Sequence, residues 1–194
     1  MKLYYSAPSP FARKVRVALY ELDLNIEMEA VLGTPTDPGN LPLDLNPLGK
    51  IPCLTTDHGT LFDSRVITRF LNDHSNGSLY PTGDALWPAL ARETIADGIL
   101  EAAVLMVYEK RCRPEEIVFE TWRDAQWAKI DRALAVLNDT DLGSDSLPDL
   151  AVAVALEYVD FRITDKEWRK SYPKLSDWGD SVGEKPSMLA TRPE

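Results

Sequence analysis

The stretch Ser9-Pro10-Phe11-Ala12-Arg13-Lys14, a few residues after the apolar run Leu3-Tyr4-Tyr5, decides how the beginning of the chain folds. Serine is a favoured N-cap and proline suits the first helical position, so the stretch predicts a turn from a strand into a helix. Free N–H groups and the helix dipole attract negative charge at such a start. An anion site beside Ser9 and a purely structural cap are both open at this point.

Length, charge and residue usage restrict the class of protein. The 194 residues suffice for one large or two small domains, and a hydrophobic fraction of 44% is ordinary for a folded protein. The formal net charge of −10 disfavours nucleic-acid binding. The cysteines and histidines are too few for a disulfide framework or a metal site, and they are Cys53, Cys112, His58 and His74.

The N-terminal residues and the apolar runs bear on location. No run approaches the roughly 20 apolar residues of a membrane span. The chain enters a strand pattern at once and shows no apolar region of a signal peptide. We therefore expect a cytoplasmic protein.

Hydrophobic periodicity divides the chain into an α/β part and an all-helical part. The first part predicts a βαβ unit followed by ββα, with strands at Lys2–Tyr5, Ile26–Val31, Ile51–Thr56 and Thr60–Phe62 and helices at Phe11–Leu22 and Ser64–His74. The second part predicts helices at Leu86–Arg111, Glu115–Leu137, Pro148–Ile163 and Tyr172–Gly183. The predicted domains are residues 1–76 and 85–194, joined by a polar linker at 77–84.

Two further segments of the first part suit a peptide ligand. In Lys50-Ile51-Pro52, a cis bond before Pro52 would expose the N–H and C=O of Ile51 to an extended ligand. A plain turn before a strand is the alternative. In Asp63-Ser64, the serine and the helix amides suit a carboxylate and the aspartate suits an ammonium, or the pair is only an N-cap with an acidic neighbour.

With these segments in this order, the sequence resembles the glutathione transferase family over nearly the whole chain, in its bacterial-like cytosolic form. Ser9–Arg13 is similar to the serine-type active-site turn, Lys50-Ile51-Pro52 to the cis-proline segment, and Asp63-Ser64 to the γ-glutamyl site. Two motifs of the second domain add to the resemblance, the helix-capping motif Ser146-Leu147-Pro148-Asp149-Leu150-Ala151 and the terminal pattern Trp178 with Lys185-Pro186-Ser187.

The resemblance implies a fold and a chemistry. The fold is a thioredoxin-like domain followed by a helical bundle, usually in a homodimer, and the function is detoxification with glutathione as co-substrate and no metal. Ser9 would be the catalytic residue that stabilises the glutathione thiolate. The implied glutathione site consists of Ser9, Phe11, Lys50, Ile51, Pro52, Asp63 and Ser64.

A small hydrophobic electrophile is the second substrate that the resemblance implies. It would lie between the domains near Phe11, Tyr108 and Arg111, where the thiolate would attack it or remove glutathione from it. The long helix of the second domain would contribute to the dimer contact. Asp97 would then approach the γ-glutamyl amine of the partner, or it would simply be a solvated acidic residue.

Some features depart from the family pattern. Gly33-Thr34-Pro35 stands where some relatives carry a basic residue, which weakens the expected hold on the glycine carboxylate. Asp145 replaces the apolar residue expected before the capping motif. The active-site turn has no cysteine and the chain has no Cys-x-x-Cys, so a glutaredoxin-type role is disfavoured.

Two other function classes remain open. A non-catalytic member of the same fold would work as an interaction module, because fold does not fix function. A redox protein would need a reactive Cys53 or Cys112. Cys53 follows Pro52 in an apolar strand, so we expect a buried and inert thiol.

Overall fold

Strands and helices alternate in the first part of the chain, and helices alone follow. The computed structural model describes residues 1–193. In chain order its elements are β1 (Lys2–Tyr5), α1 (Pro10–Glu21), β2 (Glu27–Ala30), β3 (Cys53–Thr56), β4 (Gly59–Leu61), α2 (Ser64–His74), α3 (Leu86–Arg111), α4 (Glu120–Asn138), α5 (Leu147–Arg162), α6 (Trp168–Ser171), α7 (Pro173–Gly183) and α8 (Pro186–Ala190). Short 3₁₀ turns lie at Gly83–Ala85 and Glu115–Ile117.

These elements form two units. One consists of Met1–Tyr80 together with the last residues from Pro186 onward, and the other is Pro81–Lys185. A four-stranded mixed sheet with helices followed by an all-helical part is the fold class that the sequence predicts, and the structure confirms it. The segment from Pro186 groups with the first unit, although its position in the chain suggested the second.

The sheet has the strand order β2-β1-β3-β4. Strand β1 runs parallel to β2, with Tyr5 opposite Ala30, and antiparallel to β3. Strands β3 and β4 form the predicted hairpin, which turns at Asp57 and His58. The βαβ order followed by ββα is therefore realised in one mixed sheet.

The core of the first unit lies between this sheet and its two long helices. Its fully buried members come from β1, β3, α1 and α2, and they are Leu3, Val15, Leu19, Leu54, Ile67 and Leu71. The α1 and α2 members recur at a spacing of one helical turn, which is the periodicity that predicts both helices. Each such side chain contributes about 1.5–3 kcal/mol when it is removed from water.

Helix α8 packs against α1 within the first unit. The Arg13 guanidinium donates from Nη2 to the Met188 carbonyl at 3.1 Å and from Nε to the Thr191 hydroxyl at 3.4 Å. At the other end of α1, the Ser187 hydroxyl donates to the Glu21 carboxylate. These contacts explain why the C-terminal segment belongs with the first unit.

Helix α5 is the centre of the second unit, because every residue from Leu147 to Leu156 is buried. The predicted capping motif opens it. Ser146 Oγ accepts the Asp149 N–H at 3.3 Å and donates to Asp149 Oδ2 at 2.6 Å. Asp149 also accepts a bond from Arg92 Nε of α3 at 2.7 Å, so this cap is a closed network.

The remaining helices of the second unit surround α5. Helix α4 begins at Glu120, five residues later than predicted, because Glu115–Ile117 forms a separate 3₁₀ turn. Helix α6 is held by Arg169, which pairs with Asp160 of α5 at 2.7 Å and with Asp180 of α7 at 2.8 Å. No helix within residues 1–193 combines the length and the apolar character that crossing a bilayer requires.

Candidate active site

Three segments that the sequence marks as binding residues converge at one edge of the sheet. Because β1 and β3 are antiparallel, with Tyr4 opposite Cys53, the end of β1 lies beside the beginning of β3. Leu61 lies opposite Leu54, so the end of β4 reaches the same edge. The turn into α1, the segment before β3 and the turn into α2 therefore meet there.

Ser9 caps α1 as the sequence predicts. Its backbone is extended, its Oγ accepts the Ala12 N–H at 3.3 Å, and Pro10 is the first helical residue. The side chain is half-buried, and its hydroxyl proton has no acceptor among residues 1–193. Because a hydroxyl can accept and donate at once, Ser9 can cap its helix and still donate to an anion.

The Ile51–Pro52 segment presents a free stretch of backbone. The peptide bond between the two residues is cis, Pro52 is buried and Ile51 is half-buried. Within the described chain, the N–H and C=O of Ile51 take part in no hydrogen bond of the turns and loops. Both groups are therefore available to a ligand that adds in an extended conformation.

Asn46 holds the loop in front of this segment, a role that the sequence analysis missed. It is 1% exposed, its Nδ2 donates to the Lys50 carbonyl at 2.7 Å, and its Oδ1 accepts the Leu48 N–H at 3.0 Å. Gly49 lies between them with a φ of 59°, a conformation that favours glycine. The Asn-Pro dipeptide was the available signal for such a turn. The Lys50 side chain itself is exposed.

Asp63, rather than Ser64, is the N-cap of α2. Its Oδ1 accepts the Arg65 N–H at 2.9 Å, while Ser64 is the first helical residue and is 2% exposed. The Ser64 hydroxyl lies 3.5 Å from Asp63 Oδ1, the oxygen to which it donates. The alternative in which Ser64 caps this helix is thus wrong by one position.

The Asp63 carboxylate is electrostatically suited to hold a cation. Burial alone would raise its pKa, but hydrogen bonds from Arg65 and the positive charges of Arg65 and Lys14 bring the pKa below its usual range. The side chain keeps 55% of its surface exposed. Asp63 is therefore ionised at neutral pH and accessible to an ammonium group.

Arg13 and Lys14 are buried, although charged side chains are usually exposed. Arg13 is 2% exposed and carries the contacts to the C-terminal segment. Lys14 is 0% exposed and contributes to the lowered pKa of Asp63. Lys14 is thus part of the electrostatics of the site, and no sequence pattern distinguishes it from a surface lysine.

The residues predicted to hold the second substrate fall in both units. Phe11 of the first unit is half-buried in α1. In the second unit, Tyr108 is half-buried one turn before the end of α3 and Arg111 is its exposed last residue. Burial raises the pKa of Tyr108. Asp97, also on α3, is 1% exposed, which contradicts the interpretation as a solvated residue.

The cysteines argue against a redox centre. Cys53 is fully buried in β3, and burial raises the pKa of its thiol, as expected of an inert cysteine. Cys112 follows α3 and is half-buried. In residues 1–193, no cluster of three histidine, cysteine, aspartate or glutamate side chains is placed to hold a metal ion.

Two family models match the chain. Residues 8–74 match the family model for the Glutathione S-transferase, N-terminal domain, and residues 120–180 match the one for the Glutathione S-transferase, C-terminal domain. The chain is 32% identical to an uncharacterized GST-like protein, YibF of Escherichia coli (strain K12), over 100% of this chain and 98% of that protein. The chain belongs to the glutathione S-transferase family.

Solved structures of the glutathione S-transferase family superimpose on the whole chain. One from Pseudomonas fluorescens Pf-5, with bound glutathione, is 41% identical with a TM-score of 0.95 and covers 100% of this chain and 98% of its own. Another structure of a family member from that organism, with bound S-(propanoic acid)-glutathione, is 40% identical with a TM-score of 0.91 and covers 100% of both chains.

Proposed function

We propose that this protein is a glutathione transferase that stabilises the thiolate of bound glutathione for attack on a small electrophile, or for removal of glutathione from one. The observation that carries the proposal is the Ser9 hydroxyl, which has a proton to donate at a helix start. A free thiol has a pKa near 8.5, so lowering it by ~2 units converts most of it to thiolate at neutral pH.

The proposed glutathione site extends from Ser9 along the edge of the sheet. The backbone of Ile51, beside Pro52, would pair with the cysteinyl part of the tripeptide. Asp63 would hold the γ-glutamyl ammonium, and Ser64 with the α2 amides its carboxylate. Bound glutathione and a bound glutathione conjugate in the Pseudomonas fluorescens relatives support this site.

The other parts of the site rest on fewer observations. Lys50 is exposed, which suits a contact with the glycine carboxylate of glutathione. Phe11, Tyr108 and Arg111 are proposed to hold the electrophile, as the resemblance implies. We propose that the protein works in the cytoplasm in detoxification.

A homodimer is part of the proposal. Apolar side chains are exposed in both units, with Val66 at 48% in the first and Trp87 at 69% and Leu105 at 43% in the second. A second copy of the chain would cover such residues. Sedimentation at micromolar concentration should give twice the chain mass, and a monomer there would contradict the dimer.

Calorimetry and turnover test the proposed function. Glutathione should bind in the millimolar range or tighter, and the wild-type protein should turn over members of a panel of electrophiles. Ser9→Ala should bind glutathione and lose most of the turnover, while Ser9→Thr, which keeps a hydroxyl, should retain part of it. Absence of glutathione binding would instead favour a non-catalytic interaction module, and full activity of Ser9→Ala would refute the role of Ser9.

A further inference from the structure

Four polar side chains lie at the ends of two packed helices in the second unit. Tyr108 and Arg111 occupy the last turn of α3, and Tyr158 and Arg162 occupy the last turns of α5. Spacings of three and four residues place each pair on one helix face. Helices α3 and α5 pack against each other. The four groups also interact electrostatically, since Arg162, Tyr108 and Arg111 all affect the pKa of Tyr158, which burial raises.

The arginines of this group lack the acidic partners that others in the same unit have. Four arginines of the second unit form ion pairs with aspartate or glutamate, and they are Arg92, Arg113, Arg123 and Arg169. Neither Arg111 nor Arg162 forms an ion pair with any residue that the structure describes. The Nε of Arg162 is buried without a hydrogen-bond partner, and the Arg162 Cζ lies 3.9 Å from the centroid of the Phe161 ring.

Each hydroxyl of the group keeps a proton to donate. Tyr158 is 6% exposed and its oxygen accepts a hydrogen bond from the Arg162 guanidinium, while Tyr108 is half-buried. Within residues 1–193 neither hydroxyl has an acceptor for its own proton. Buried polar groups normally have partners, so the buried Nε of Arg162, beside a second guanidinium that also has no acidic partner in the described chain, indicates an external ligand. Two guanidinium groups and two phenolic hydroxyls are donors, and the ligand that suits them is an anion with planar oxygens.

We propose that Tyr108, Arg111, Tyr158 and Arg162 bind a carboxylate of the electrophile, so that the substrates are small carboxylate-bearing electrophiles such as α,β-unsaturated acids. This inference rests on the proposed function, because Tyr108 and Arg111 belong to the proposed electrophile site. A carboxylate is also the substrate group that an acidic protein without such a cluster would repel.

The reaction with an unsaturated acid is an addition. The thiolate sulfur forms a bond to the β-carbon, and the electron pair of the C=C bond moves to the α-carbon. The α-carbon then takes a proton from solvent, which replaces the proton that the thiol lost on ionisation. The product is a thioether that carries the carboxylate, and nothing leaves. Ion pairing holds the acid in place throughout, while the carboxylate itself is unchanged.

Basic residues in the last turn of a helix have a second explanation, since they also compensate the helix dipole. The experiment must therefore measure ligand selectivity rather than stability. Two product conjugates measure this selectivity. They are S-(2-carboxyethyl)glutathione and S-(2-carbamoylethyl)glutathione, in which a neutral amide replaces the added carboxylate. They differ in charge and have nearly the same shape, so calorimetry of both isolates the carboxylate.

The wild-type protein should bind the carboxylate conjugate roughly tenfold more tightly than the amide conjugate. Arg162→Gln should abolish this preference, Arg162→Lys should keep part of it, and Tyr158→Phe should reduce it. Arg132→Gln is the matched control, because Arg132 is an exposed arginine of α4 outside the group. In turnover, acrylate should exceed acrylamide in catalysed rate relative to its uncatalysed rate, and Arg162→Gln should reverse the order.

The outcomes separate this inference from the proposed function. If neither conjugate nor glutathione binds, the proposed function fails first. If glutathione binds and the wild-type protein prefers the amide or shows no preference, only the carboxylate assignment is overturned. A preference that Arg162→Gln leaves intact, in a variant with native circular dichroism, would likewise overturn the role of Arg162.

Discussion

Two serines with similar surroundings in sequence cap helices in the two units. Only one of the two hydroxyls donates a hydrogen bond within the described chain. Ser9 precedes Pro10, and Ser146 lies two positions before Pro148. Both side chains accept an N–H bond at 3.3 Å from the third residue of their helix. The Ser146 hydroxyl also donates, to Asp149 at 2.6 Å, whereas the Ser9 hydroxyl has no acceptor in the described chain.

The residue three positions after each serine makes the difference. It is Asp149 in α5, whose carboxylate accepts from the serine and from Arg92, and Ala12 in α1, which accepts nothing from a side chain. One cap is a closed network that stabilises the fold. The other leaves a donor for a ligand. The same local motif thus forms a closed network in one unit and leaves a free hydroxyl proton in the other.

The largest effect should come from breaking the network of Ser146, Asp149 and Arg92. Asp149→Ala should lower the free energy of unfolding by about 3 kcal/mol, because it leaves a paired arginine and a serine without their buried partner. Urea denaturation measures this value. Asp145→Ala is the control, since the Asp145 side chain is 89% exposed in its pair with Lys185, and its midpoint should not change. Equal losses in the two variants would contradict the closed network.

The matching change at Ser9 should affect the ionisation of bound glutathione. Ser9→Ala should raise the pKa of the bound glutathione thiol by about 2 units, a factor of about 100 in the thiolate fraction well below the pKa. Ultraviolet absorbance of the thiolate against pH, in the saturated complex, measures it. Ser146→Ala should leave that pKa unchanged. A shift in both variants would mean that the effect comes from weakened folding.

The sequence predicts the fold well where the pattern is long or its ends are marked. The bounds of β1, α2 and α3 match the prediction. Strong periodicity and a capping residue mark α2, whereas α3 is marked by the length of its helical pattern. Helices α6 and α8 are absent from the prediction. They have four and five residues, fewer than two turns, and so show no periodicity.

The candidate site was only partly predictable. Ser9, Ile51 and Asp63 lie in motifs whose residue types indicate a hydroxyl donor, an exposed backbone and a carboxylate. The burial of Lys14 and Asn46 depends on which elements pack around them, and no local pattern carries that information. A lysine near the start of a helix ordinarily predicts a surface position. The cap of α2 was misassigned by one residue because aspartate and serine cap helices about equally well.

Stability should also separate the two caps, by a smaller amount. Ser146→Ala should cost about 1–2 kcal/mol, because it removes a cap and one bond to a buried carboxylate. Ser9→Ala should cost about 0.5–1 kcal/mol, since only one N–H loses its acceptor. Both values come from chemical denaturation without ligand. If Ser9→Ala proved the more destabilising, Ser9 would be the structural cap after all.

The smallest effect concerns the acidic cap of α2 and extends the comparison to a third helix start. The lowered pKa of Asp63 means that its ionised form stabilises the fold above its unfolded pKa of about 3.9, and that this contribution is lost as the pH falls through the folded value. Because the side chain is half-exposed, the contribution should be below about 1 kcal/mol. Asp63→Asn should be less stable than the wild type at neutral pH in thermal unfolding, and the difference should shrink as the pH falls below about 3.9 and through the lowered pKa of the folded state. A difference that persists in acid would assign the effect to something other than ionisation.

The contacts of α8 join residues that are synthesised far apart in time. The bond from Arg13 to the Met188 carbonyl spans 175 positions, and Ser187 reaches Glu21 across 166. A ribosome completes all of Pro81–Lys185 between the two partners of each bond. The first unit can form its sheet early in translation, but it receives α8 only after the second unit has been synthesised. Helix α1 therefore gains its contacts with α8 only after all of Pro81–Lys185 has been synthesised.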